Sequence, residues 1–327
     1  VRQPKVRFRL SAFVVALVLA APVVLAGRSL AIAALFLVEF LADGTVPALT
    51  IVTPAPRAGT LAASDRFRPG LTAGAPLVLV HGLTPSGKED PQLRQAARLL
   101  ARAGFDVAVP TIPGLTRGRL RPEDARPVMT ALAARPGRAR LVSVSVGAGP
   151  AFLAAAHPAT RDRVAAVLAL GPYASALELI RFHLTGEYAW EGRRGRAPHD
   201  AARSRAVIEA NAELADPALR EALATGDAAR VDAALEALPA QTRELIDELS
   251  PARVFAAIRV PVLLVHGRTD PAVPYTETLR LAAARPEDTQ VVLVGAIGHV
   301  EGAAAGLAAV QDVLRLLGAV YAFVALD

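Results

Sequence analysis

Six short apolar runs recur along the body of this chain, and they restrict its architecture more than any other feature. They are Pro76–Val80, Asp106–Val109, Arg140–Val144, Val164–Leu170, Val260–Val265 and Gln290–Val294. Helical stretches separate them near Pro91–Ala103, Glu123–Ala134, Val146–Ala156 and Thr276–Ala284. Strands that are apolar on both sides must be covered on both sides, and strands separated by helices run parallel. The expected fold class is therefore α/β, a mainly parallel sheet with helices on both faces. In such sheets functional groups collect beyond the carboxyl ends of the strands.

Polar residues stand at several of those ends. His81-Gly82-Leu83-Thr84 follows Val80, Ser145 follows Val144, and His266-Gly267-Arg268-Thr269-Asp270 follows Val265. Gly298-His299 comes after Val294. A serine, an acid and a histidine thus follow three different strands in the order Ser, Asp, His. Around Ser145 the chain reads Ser143-Val144-Ser145-Val146-Gly147 and continues into an Ala-rich run. This is the layout of a nucleophile elbow, usually G-x-S-x-G, in which a strand turns sharply into a helix and holds the serine hydroxyl exposed. Ser143 departs from that pattern.

The stretch 175–250 interrupts the alternation. It holds amphipathic patterns such as Ala201–Leu214 and Ala228–Leu238 and no good strand, so a helical cap inserted over the strand ends is expected. Its tip, Tyr188 to Arg196, reads either as an exposed loop or as a basic and aromatic edge that meets a membrane or gates a pocket.

With these landmarks the chain resembles the α/β-hydrolases, in particular the esterase and dienelactone-hydrolase-like branches. The resemblance runs from about residue 61 to residue 318 and rests on His81-Gly82, Gly104 to Pro110 with Pro113-Gly114, the Ser145 stretch, Asp270 with Val273-Pro274, and Gly298-His299. Thr111 stands where many members carry Asp. The dienelactone enzymes use a cysteine; this chain has none, so their specific chemistry does not carry over. The resemblance implies a serine hydrolase cleaving a carboxylic ester or related acyl bond. Ser145 would be the nucleophile, His299 the general base and acid, and Asp270 the carboxylate that orients the histidine. The backbone N–H groups of Val146 and Leu83 would form the oxyanion hole. No cofactor and no metal are expected. The alternative is a hydrolase fold kept as a membrane-tethered, non-catalytic binding protein. A less favoured alternative is a nucleotide hydrolase, because Gly82 to Lys88 matches G-x-x-x-x-G-K; Glu89 then stands where a magnesium-binding Ser or Thr is needed.

The start of the chain differs in composition. Residues 1–9 carry Arg2, Lys5, Arg7 and Arg9 and no acid, and Leu10 to Gly27 is apolar and uncharged. A second apolar run, Leu30 to Ala42, is broken by Glu39. Together with 53% hydrophobic residues, this pattern favours an N-terminal transmembrane anchor within residues 1–45, with the catalytic domain on the extracytoplasmic side. A cleaved signal and secretion are the alternative. The second run could extend the span, lie in the interface or pack on the domain. Residues 46–60 read as a linker to a hydrolase domain at 61–327. The net charge of +6 comes from scattered arginines with only 5% aromatics, which sets nucleic acid aside as a partner.

Overall fold

The computed structural model describes residues 27–197, 201–211, 221, 227–295 and 307–325, without the side chains of 201–204, 208 and 307–309. Its centre is an eight-stranded sheet. In chain order the strands are β1 (Arg57–Leu61), β2 (Ser64–Arg68), β3 (Ala75–Val80), β4 (Phe105–Val109), β5 (Ala139–Val144), β6 (Val164–Leu170), β9 (Val262–Gly267) and β10 (Thr289–Val294). They lie in the order β1-β2-β4-β3-β5-β6-β9-β10. All neighbours from β4 to β10 are parallel; β1 and β2 form an antiparallel hairpin on the β4 edge. The six expected strands all occur, with ends shifted by at most two residues.

Each central strand feeds both faces. Along β3, Leu77 and Leu79 enter one core while Val78 and Val80 enter the other. The first core is closed by the helices at Pro91–Arg102, Leu307–Ala325 and 27–41. The second is closed by Ala125–Ala133, Ala148–Ala156 and Thr276–Ala284. From β3 the chain turns to β4 on one side and then crosses back to β5 on the other, so the loops after β3 and β5 diverge. Such a switch point leaves a crevice at the carboxyl ends of the strands.

Asp106 of β4 ties three elements together. It receives Arg66 of β2 through two hydrogen bonds of 2.9 and 2.6 Å, and it pairs with the fully buried Arg135 at 2.9 Å. Burial alone pushes its carboxyl up, but the two guanidinium groups outweigh burial and hold it below its ordinary value of 3.8.

Between β6 and β9 lies the inserted region, with helices at Ala176–Thr185, Ala201–Ala210, Ala228–Glu236 and Ala240–Glu248. It also contains a hairpin, β7 (Glu187–Trp190) and β8 (Arg193–Arg196), where the sequence pattern gave no strand. Glu191 and Gly192 both have positive φ, 45° and 78°, as a two-residue hairpin turn requires. The tip is not a free loop. Arg280 lies 4.1 Å over the Trp190 ring, and Tyr188 meets Tyr275 edge-on at 5.7 Å.

At the N-terminal end the second apolar run takes one of its three expected courses, packing on the domain, and the linker reading needs correcting. Residues 27–41 form a helix that packs on the domain: Leu37 is buried in the first core, with Phe36, Phe40 and Leu41 packed against it. Glu39, which breaks the apolar run, is buried and accepts hydrogen bonds from the Leu49 and Thr50 N–H groups and the Thr50 hydroxyl. It thereby caps the short helix Ala48–Val52. That helix and β1 occupy the stretch read as a linker. Among the described residues no helix is long and apolar enough to cross a membrane. The apolar run 10–26 lies outside the described residues.

Candidate active site

Ser145 stands at the end of β5, the strand between β3 and β6, with φ +53°. A non-glycine residue in the left-handed region stores strain and persists only where the surroundings impose it. Here they do. The chain leaves β5, makes a tight 3-10 turn over Ser145–Gly147 and enters the helix Ala148–Ala156. At Gly147 an added Cβ would lie 2.2 Å from the His81 carbonyl oxygen, so only glycine allows the turn to pass the end of β3. At Gly82 it would lie 3.2 Å from the Val144 carbonyl oxygen and 3.3 Å from the Ser145 Cβ. The two loops at the switch point therefore touch through glycines, with Ser145 between them. Val146 opens the turn after Ser145; N–H groups in the first turn of a helix have no intrahelical acceptor and are available to a ligand.

Ser143 is fully buried and its hydroxyl has no hydrogen-bond partner among the described residues. The elbow forms despite the missing glycine, at the cost of an unpaired buried oxygen.

His81 and His266 pin the loops. His81 donates from Nδ1 to the Gly82 carbonyl at 2.7 Å and accepts at Nε2 from the Ile112 N–H at 2.9 Å. Those partners fix a neutral ring with one proton, and burial holds its pKa below the ordinary value of 6.5. The loop after β3 is thereby fastened to the loop after β4. His266 donates from Nε2 to the Val273 carbonyl at 2.9 Å, and its Nδ1 lies 2.6 Å from the Thr278 hydroxyl.

Asp270 follows β9 and is buried. Its Oδ1 accepts the N–H groups of Ala272 and Val273 at 2.8 and 3.0 Å, which fix the carboxylate, and its Oδ2 lies 3.6 Å from His266 Nε2. Gly171, at the end of β6 with φ +59°, gives it room: a Cβ there would come within 3.1 Å of Oδ2. Ser145, Leu83 and Asp270 all line one cavity of about 920 Å³. Val146 is adjacent to Ser145 in the chain. His299 lies outside the described residues.

Lys88 of the G-x-x-x-x-G-K match is taken up by an ion pair with Asp65 of β2 at 2.7 Å, and Glu89 pairs with Arg94. The lysine thus serves the hairpin that ends the sheet.

The structure adds groups that the motifs did not point to. Phe36 and Phe40, on the helix 27–41, line the cavity together with Thr84 and Arg117. The apolar spacing of residues 33, 36, 37, 40 and 41 was open to inspection as one helical face; its destination was not. Glu277, on the helix after β9, is buried and accepts the N–H groups of Ala174 and Ser175 at 3.0 and 2.7 Å, holding the entrance to the cap. Burial pushes its carboxyl above the ordinary value of 4.5.

The sequence profile of the alpha/beta hydrolase fold matches residues 75–300. The chain belongs to this family. No curated protein matches it. Among solved structures, one that is similar is the acylaminoacyl peptidase of Pyrococcus horikoshii, 14% identical with a TM-score of 0.49 over 77% of this chain. The chain spans 39% of the length of that protein. A puromycin-hydrolyzing peptidase of Mycobacterium tuberculosis is 19% identical with a TM-score of 0.51, covering 82% of this chain and 38% of its own. A truncated carbohydrate esterase from gut microbiota is 14% identical with a TM-score of 0.51, covering 82% of this chain and 97% of its own. At these identities the likeness is one of fold.

Proposed function

We propose that the protein is a serine hydrolase that cleaves carboxylic esters or related acyl substrates through an acyl-enzyme. The observation that carries this reading is the left-handed Ser145 at the end of β5, opening into the same cavity as the buried Asp270. In the proposed reaction the Ser145 hydroxyl adds to the substrate carbonyl while His299 takes its proton. Asp270 stabilises the charged imidazole. The N–H groups of Val146 and Leu83 receive the oxyanion, and losing one such donor typically costs about 3 kcal/mol of transition-state stabilisation. The tetrahedral intermediate collapses as His299 returns the proton to the leaving group. Water, activated by the same histidine, then frees the enzyme.

A fluorophosphonate probe tests the nucleophile. It should label the wild type and fail to label Ser145→Ala, while the variant keeps the wild-type melting curve. Turnover of an activated ester should fall by roughly 10³-fold or more in Ser145→Ala and in His299→Ala. A folded wild type that takes no label would leave a non-catalytic binding protein as the better reading. Membrane attachment through the N-terminal residues belongs to the same proposal; its support is the basic flank and the apolar run 10–26. Fractionation of the full chain decides between membrane and soluble fractions.

A further inference from the structure

The cavity at Ser145 extends well past the reacting groups. It straddles the ends of the strands. On the cap side it is bounded by Leu115 to Gly118 and by Ala206, Val207 and Ala210. On the other side it continues down the face of the sheet, over Leu79, Val142 and Leu168. Its far walls there are helices: Phe40 from 27–41, Ala96 from Pro91–Arg102 and Ala319 from Leu307–Ala325. The residues named on the sheet side are all apolar; the polar lining, which includes Thr84, Asp90, Gln92, Arg117, Ser145 and Asp270, stands in the segments that follow the strands. An apolar lobe with polar groups confined to one end suits a ligand with a hydrocarbon body and one reactive head. About 920 Å³ is near the upper end for a single small-molecule site, far more than an acetyl group needs.

We propose that this lobe, between the sheet and the helix 27–41, seats the unbranched hydrocarbon chain of an acyl substrate whose carbonyl lies at Ser145. The proposal rests on Ser145 as the nucleophile. The helix 27–41 then has a role in specificity: the stacked rings of Phe36 and Phe40, 5.7 Å apart, form part of the wall that the chain would touch.

The test uses the full chain and p-nitrophenyl esters from acetyl to palmitoyl. Burying a methylene is worth about 0.8 kcal/mol, so kcat/KM should rise by up to roughly fifteenfold per two added methylenes until the lobe is filled. Ala319→Phe fills the lobe from one wall and Ala96→Phe from another. Either should lower the ratio of palmitoyl to acetyl kcat/KM at least tenfold, so a folding failure in one leaves the other to decide. A second measurement does not depend on turnover: Ser145→Ala should bind a fluorescent polyene fatty acid saturably, and Ala319→Phe in that background should weaken it. Hydrolysis of monomeric octanoyl ester indicates a soluble source for the chain; release of fatty acid only from phosphatidylcholine vesicles indicates a lipid source, and both support the site. If no ester is turned over but the fatty acid binds and the filling substitution weakens it, the catalytic reading fails and the chain site stands. Acetyl turnover with no gain on lengthening and no saturable fatty-acid binding overturns the chain site and leaves the catalytic reading intact.

Discussion

At the scale of single residues, the elbow is held by what its neighbours forbid. Gly147 cannot carry a side chain because the His81 carbonyl is already there, and Ser145, two residues earlier in the same turn, takes a left-handed backbone. Ser143 shows the reverse situation, a tolerated departure with a cost. Its hydroxyl is buried without a partner among the described residues, and an unsatisfied buried polar group typically costs about 1–3 kcal/mol. Ser143→Ala should therefore stabilise the protein by about 1 kcal/mol, visible as a melting temperature raised by about 2 °C. A lower melting temperature would show that the hydroxyl is satisfied in solution. The sequence pattern announced that Ser143 was unusual; whether its oxygen would find a partner depended on the surrounding backbone and could not be read from the chain.

At the scale of elements, the Arg66–Asp106–Arg135 cluster fastens the β1–β2 hairpin to the sheet and to the end of the helix Ala125–Ala133. Asp106→Asn would leave the buried guanidinium of Arg135 without its countercharge, at a cost of about 3–5 kcal/mol. Denaturant unfolding measures this. Because the folded pKa of Asp106 lies below its ordinary 3.8, the folded state binds this proton more weakly than the unfolded chain. Its stabilisation is thus fully present above the unfolded value and is lost as pH falls from there through the folded one. The stability difference between wild type and Asp106→Asn should shrink over that acid range and stay level above it. None of this coupling was legible: Asp106 sat inside an apolar strand pattern, and its partners lie 40 residues before and 29 residues after it in the sequence.

At the scale of the whole molecule, the sheet was legible because six apolar runs separated by helices admit few arrangements. The direction in which the ends of the chain would fold was not. An apolar run beginning at Leu30 has the same composition whether it meets lipid or protein, and only the buried Glu39, capping a helix that the pattern did not predict, shows which. The hairpin β7–β8 is not legible in the sequence because its strands have four residues each and one of them carries three arginines. Its packing has a practical consequence. Trp190 is the only tryptophan in the 327 residues, and it is stacked beneath Arg280, on the helix that follows β9. Intrinsic emission excited at the indole band is therefore an unlabelled gauge of one contact, that between the cap hairpin and the body. Arg280→Ala should shift that emission even without ligand. In stopped flow, an emission change on mixing with an acyl ligand would time a rearrangement of this contact separately from the chemistry proposed for Ser145, and a constant signal would mean that the ligand enters with the hairpin seated.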